Sequence, residues 1–201
     1  MGVQHKVGGG PPLPGSRSPA AKVAPAIEAL REKRDRAALA LLLACGLRRA
    51  ELVGLRREDL QVREDHRVIA DLAGKGKRIR PVPVPIWAKE VVDEWMTAAE
   101  IATGLIFRRV NRYGEVWGEG ITPKAIWHIV KAAAARAGIQ KLAPHDLRRR
   151  SCARLCHQAG GELEQIQFLL GHASIQTAER YLGRKQKLRN AVNDKIGLDE
   201  F

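Results

Sequence analysis

The chain has 201 residues, 45% of them hydrophobic and 28% charged, enough for one well-cored domain. Thirty-five Lys and Arg against 22 Asp and Glu leave a net charge of +13 and a pI near 10.2, an excess that points to a polyanionic partner, nucleic acid before any other. No apolar run reaches the ~18 residues of a bilayer span, the N-terminus lacks the apolar core of a secretory signal, and three cysteines (Cys45, Cys152 and Cys156) fit free buried thiols in a reducing cytosol better than a disulfide framework.

The first 20 residues hold five glycines and four prolines and few large apolar side chains. They read as a disordered leader, taken to residue 22, that cannot bury enough surface to offset chain entropy. The ordered domain is expected over 23–201. Helical periodicity starts near Ala24, and "PAIEALREKRDRAALALLLACGL" reads as one helix leading into a second, core-lying one, broken at Gly46. "RRAELVGLRREDL" restarts the pattern, with Leu52 and Leu55 as its inward edge. Two strand-like runs, Val68 to Leu72 and Ile79 to Val84, flank a Gly-Lys-Gly turn and predict a β-hairpin. Pro81, Pro83 and Pro85 favour an edge position for its second strand.

Helix returns at "IWAKEVVDEWMTAAEI". Gly104 to Gly120 reads as loop with short strands. Thr122 and Pro123 then fit an N-cap followed by proline at the first helical position. "HDLRRRSCARLCHQAG" is the next helix, ending at Gly160 and Gly161, followed by a short "ELEQIQFLL" helix and a last one from about Ser174. The fold class is α+β, mainly helical, with a small antiparallel sheet.

Four separated stretches carry chemistry. "CGLRRAEL" sets Arg48 at a helix start with Glu51 one turn on, and "GKGKRIR" places Lys75 in the hairpin turn, with Lys77 and Arg78 beside it. "PHDLRRR" puts His145 and Arg148 three residues apart, on one side of a first helical turn, an arrangement suited to an anion. "GHASIQTAERY" brings His172, Ser174 as an N-cap, and Tyr181. Each stretch alone reads as ordinary surface or packing residues. The Gly-Lys pair lacks the Ser/Thr and following helix of a phosphate-cradling loop. The histidines and cysteines lack zinc spacing, and Ser151 and Cys152 lie within a helix with no nucleophile elbow.

Taken in order, these stretches resemble the tyrosine recombinase (phage integrase) family from about residue 24 to 190. "CGLRRAELVGLRREDL" is similar to the box with the first catalytic arginine, "GKGKRIRPVPV" to the hairpin-lysine motif, and "APHDLRRRSCA" to the His-x-x-Arg box. "LLGHASIQTAERYLG" is similar to the box ending in the nucleophilic tyrosine, with the family's nine-residue step from His172 to Tyr181. The resemblance implies the active set Arg48, Lys75, His145, Arg148, His172 and Tyr181, with Glu51 as a buttress and Lys77, Arg78, Arg149 and Arg150 on DNA.

A tyrosine nucleophile conserves the phosphodiester bond energy in a covalent 3′-phosphotyrosine. Two arginines can clamp the phosphate oxygens, and a lysine can protonate the departing 5′ oxygen. No metal, nucleotide or other cofactor is required. The resemblance further implies double-stranded DNA as partner, a homotetramer on DNA from a monomer in solution, and no membrane. It implies a cytoplasmic, nucleoid-associated protein of bacterial, phage or mobile-element origin. Family members carry a further N-terminal core-binding domain, expected to be absent here. An inert remnant that only binds DNA, and a relaxing activity without partner exchange, are the competing readings.

Overall fold

The computed structural model describes residues 19–63, 65–73 and 79–172. Helix α1 (Pro19–Ala44) is a single rod of 26 residues where two helices were expected, the first from Ala24. Neither Gly nor Pro interrupts residues 26–44, and the strong helix formers Ala, Leu, Glu, Lys and Arg carry the helix through without a joint. Its C-terminal half is the spine of the core, with Ala37, Ala38, Leu41 and Leu42 buried. It lies along α3 (Ile86–Ala98), whose buried Trp95 donates its indole N–H to the Ile106 carbonyl at 2.9 Å. That bond lets a large ring with a polar edge enter the core without an unmet donor.

After α1 the chain turns at Gly46 into α2 (Arg49–Val53), where Leu52 is buried, as is Leu55 just beyond the helix, as their spacing predicts. A short 3₁₀ turn (Arg57–Asp59) leads into β1 (Leu60–Arg63), β2 (His66–Ala73) and β3 (Ile79–Pro83), an antiparallel sheet in the order β1-β2-β3. The hairpin expectation holds for β2 and β3, and its turn, residues 74–78, lies outside the described residues. The sheet has a third strand the sequence reading lacked. "LQVR" is too short for its period to stand out, and pairing with β2 (Leu60↔Ile69, Gln61↔Val68) makes it a strand. β3 lies at an edge of the sheet, where prolines cost no ladder bond.

A two-stranded ribbon, β4 (Arg109–Val110) with β5 (Val116–Trp117), precedes α4 (Pro123–Arg136). Thr122 caps α4 as expected, its hydroxyl accepting from the Ala125 amide at 3.2 Å. The predicted "HDLRRRSCARLCHQAG" helix has three parts: α5 (Pro144–Asp146), a π-helical turn (Leu147–Cys152) and α6 (Ala153–Gln158). Helix α7 (Leu163–Leu170) follows, and the helix expected from Ser174 lies outside the described residues. Among the described residues no helix is long and apolar enough to cross a membrane.

Gly46 is the joint on which α1, the π turn and α7 meet. Its φ is +58°, and a Cβ there would stand 2.6 Å from Leu170 Cδ2 and 3.1 Å from Cys152 Sγ, both in buried side chains. Backbone and space both require glycine. The variant Gly46→Ala is expected to lose about 2 kcal/mol of stability through strain and overpacking, read as a lower urea midpoint with an unchanged slope.

Candidate active site

Arg48 caps α2 in extended conformation, φ −76° and ψ 153°. Glu51, one turn on, folds back so that its carboxylate accepts from the Arg48 amide at 2.8 Å and from Arg48 Nη1 at 2.6 Å. These two bonds, both donated by Arg48, fix the arginine where the helix N-terminus opens. The Glu51 carboxylate takes a third donor, Arg80 Nη2 at 3.4 Å from β3. Burial pushes the Glu51 pKa up, but the bonds from Arg48 and the charges of Arg80 and Arg48 outweigh it and hold the carboxyl below its usual range.

Arg148 sits in the π turn and is buried, 2% exposed. A π turn packs residues off the 3.6-residue period and recurs at functional sites. Here it turns Arg148 inward to donate to the carbonyls of Gly46 and Leu170. Two backbone acceptors from distant elements fix the guanidinium plane.

His172 is placed by the end of α7. Gly171 takes the left-handed conformation, φ +60°, and the His172 amide closes back on the Gln167 carbonyl at 3.1 Å. The imidazole is 8% exposed. Burial first, then the positive charges of Arg148, Arg48 and Arg80 and the neighbouring His145, push its pKa down to about 4. His172 is therefore neutral at pH 7 and keeps one donor and one acceptor nitrogen. His145, exposed on α5, shares a cleft of about 320 Å³ with Arg48, Arg49 and Arg148, walled by Pro123 and Pro144. A larger cleft of about 670 Å³, bordered by Arg57, Arg67, Asp93 and Glu100, contains none of the residues singled out in the sequence.

Arg48, Glu51, His145, Arg148 and His172 thus come together from three stretches remote from one another in the sequence. Lys75, Lys77, Arg78 and Tyr181 lie outside the described residues, as do the side chains of Arg149 and Arg150. Sequence reasoning missed Arg49 and Arg80. Arg49 carried no signal beyond its neighbour. Arg80 did carry one, because it alternates with Val82 and Val84, both buried, which turns it to the inner face of β3.

A mainly helical domain with a small antiparallel sheet is the architecture of tyrosine recombinase catalytic domains. The chain is similar in structure to the XerH site-specific recombinase bound to difH substrate in a pre-cleavage complex (TM-score 0.63, 23% identity, covering 89% of this chain and 52% of that one). It is similar also to the XerA recombinase (TM-score 0.61, 24% identity, 87% and 61%). The profile of the phage integrase family matches residues 20–187, and the chain belongs to that family. Relatives in sequence include the tyrosine recombinase XerD of Shewanella oneidensis, 34% identical over 157 residues, 75% of this chain and 49% of the relative. XerC of Pseudomonas aeruginosa is 36% identical over 152 residues, 74% and 47%. The chain spans about half the length of the curated relatives it matches.

Two predictions concern the charge balance. Glu51→Gln leaves Arg80 and Arg48 without their counter-charge and is expected to cost about 2–3 kcal/mol at pH 7. The folded state lowers this carboxyl, so its contribution is full above the ordinary value of 4.5 and is lost as pH falls through the folded value. Denaturation midpoints of the two proteins should therefore converge in acid. Secondly, the His172 imidazole should resist protonation in an NMR titration until about pH 4, assigned by the signal lost in His172→Gln. The unfolded chain takes that proton near 6.5, so stability falls as pH drops between these values.

Proposed function

We propose that this chain is the catalytic portion of a site-specific DNA recombinase that cuts and rejoins strands through a 3′-phosphotyrosine on Tyr181. The observation that carries the reading is the convergence of Arg48, Arg148 and His145 on one cleft, with neutral His172 packed among their charges. A phosphodiester gains negative charge as it is attacked, and guanidinium groups held in advance stabilise that charge without reorganising. Arg48 and Arg148 supply this stabilisation. The Tyr181 phenol attacks phosphorus, its proton passing to His145, and the 5′ oxygen leaves with a proton from Lys75. His172 donates a hydrogen bond to a phosphate oxygen. The free 5′ hydroxyl of a partner strand then attacks the phosphotyrosine and releases the enzyme, so bond energy is conserved and no metal or nucleotide is consumed.

Double-stranded DNA is the partner. Four copies assemble on it from monomers, in a bacterial cytoplasm, where the protein associates with the nucleoid. Arg49, exposed at the rim of the cleft, and the basic set Lys77, Arg78, Arg149 and Arg150 track the phosphates. The similarities support this reading: XerH is a site-specific recombinase bound to difH substrate in a pre-cleavage complex, and the sequence relatives are tyrosine recombinases.

The test is a pool of nicked duplexes randomised around the nick, incubated with the protein and searched for denaturant-resistant protein–DNA adducts. Wild type should yield an adduct and Tyr181→Phe none. An adduct that persists in the phenylalanine variant would remove Tyr181 from the mechanism. Tight binding of DNA without any adduct would instead mark a chain that binds only.

A further inference from the structure

We propose that the cleft between the end of α3 and the β1–β2 pair is a binding site for a small zwitterion, an apolar amino acid or a short peptide with free termini. The site shares no lining residue with the arginine cleft and stands independently of the recombinase reading.

The cleft holds about 670 Å³, within the range of small-molecule sites. Its floor is apolar, from Leu60, Met96 and Ile101, the last two buried. The sheet side carries two cations. Arg67 opposes Val62 in the β1–β2 ladder, two residues before the buried Ile69, so alternation turns it to the same inner face. Its Nε is buried with no hydrogen-bond partner among the described residues. Arg57 opens the 3₁₀ turn before β1, and its Nη1 lies 3.6 Å from the Met96 sulfur. A thioether is only a weak acceptor for a guanidinium.

The α3 side carries two carboxylates, Asp93 and Glu100. Asp93 is paired along its own helix with Lys89. Glu100 stands in a place that disfavours it twice. Helix α3 ends in a Schellman motif, the Ile101 amide donating to the Met96 carbonyl at 2.9 Å and the Glu100 amide to the Thr97 carbonyl at 3.2 Å. That motif puts Glu100 in the left-handed conformation, φ +51°, where glycine is the usual residue. The same helix end is the negative pole of α3 and repels a carboxylate. Strain of this kind gathers at ligand sites.

Among the described residues no ion pair joins these arginines to these carboxylates, although all four border one cleft. A zwitterion satisfies both sides at once. Its carboxylate takes charge-assisted bonds from Arg57 and Arg67, its ammonium goes to Glu100 and Asp93, and its apolar side chain covers the floor. A polyanion does not fit so well. A phosphate drawn to the arginines would lie against two carboxylates of its own sign.

The test follows the backbone amides of Thr97, Glu100 and Ala102 by NMR while leucine, dileucine and trileucine are added in turn. At least one should move them saturably, and the tightest of the three decides between amino acid and peptide. Acetylating the amine of that ligand, or converting its carboxylate to an amide, should each weaken binding at least about tenfold, since each removes a charge-assisted contact. Arg67→Met should weaken the free ligand by a similar factor and leave the amidated form unaffected. Glu100→Gly should weaken the free ligand and leave the acetylated form unaffected. It should also raise the urea midpoint, because glycine relaxes the left-handed backbone. A gain in stability with a loss of binding is what a merely structural residue would not show, and this variant serves alone if the methionine variant is unfolded. No saturable shift with any of the three ligands, or equal binding of the blocked forms, overturns the proposal. Inorganic phosphate or a short DNA duplex that moves the same amides more strongly overturns it in favour of a phosphate contact.

Discussion

Two guanidinium groups, Arg48 and Arg80, meet at the buried carboxylate of Glu51, and the site depends on that balance. Glu51 accepts from the backbone and side chain of Arg48 and from Arg80. Without it, Arg48 and Arg80 would sit as uncompensated charges close to Arg148. With it, the cluster is still net positive. That surplus, added to burial, keeps His172 neutral. A phosphate entering the cleft would meet cations already held in place by the protein's own acceptors, the preorganisation phosphoryl transfer draws on.

The remaining charge is handled by the backbone. Arg148 donates to the carbonyls of Gly46 and Leu170, 102 and 22 residues away in sequence. These carbonyls lie at a turn and at a helix end, where a carbonyl lacks an intrahelical partner. The π turn is the local distortion that lets the arginine reach them, and Gly46 is where side-chain volume must vanish for the three elements to touch. The same seam carries two of the thiols: Cys152 Sγ donates to the Ala44 carbonyl at 3.6 Å, and its proximity draws the Cys156 thiol below its ordinary range. Cys45, by contrast, is pushed up to about 12 by burial.

Much of the fold was legible from local rules. Thr122 and Pro123 start α4 because a hydroxyl cap and a proline both suit a helix N-terminus. The prolines of β3 marked an edge because they cannot donate to a ladder. The errors were equally local in origin. α1 is one rod because a change in amphipathicity does not break a helix whose residues all favour it. β1 escaped notice because four residues hold too few alternations to show a period. The π turn had no signature at all, since the residue types suit an α-helix and only the reach of Arg148 to its acceptors distinguishes the two.

By itself the sequence determined residue types, their order, and the periodicities that make mostly helix and one small sheet. It also held the motif pattern by which the family is recognised, because that pattern is a matter of identity and spacing. Tertiary structure alone decided the state of the groups. His172 is neutral, Glu51 is charged, Arg148 is fixed in plane and Arg80 faces inward, each through contacts with residues remote in sequence. Coulomb energy and desolvation depend on distance and burial in space, and neither is written in the order of residues along the chain.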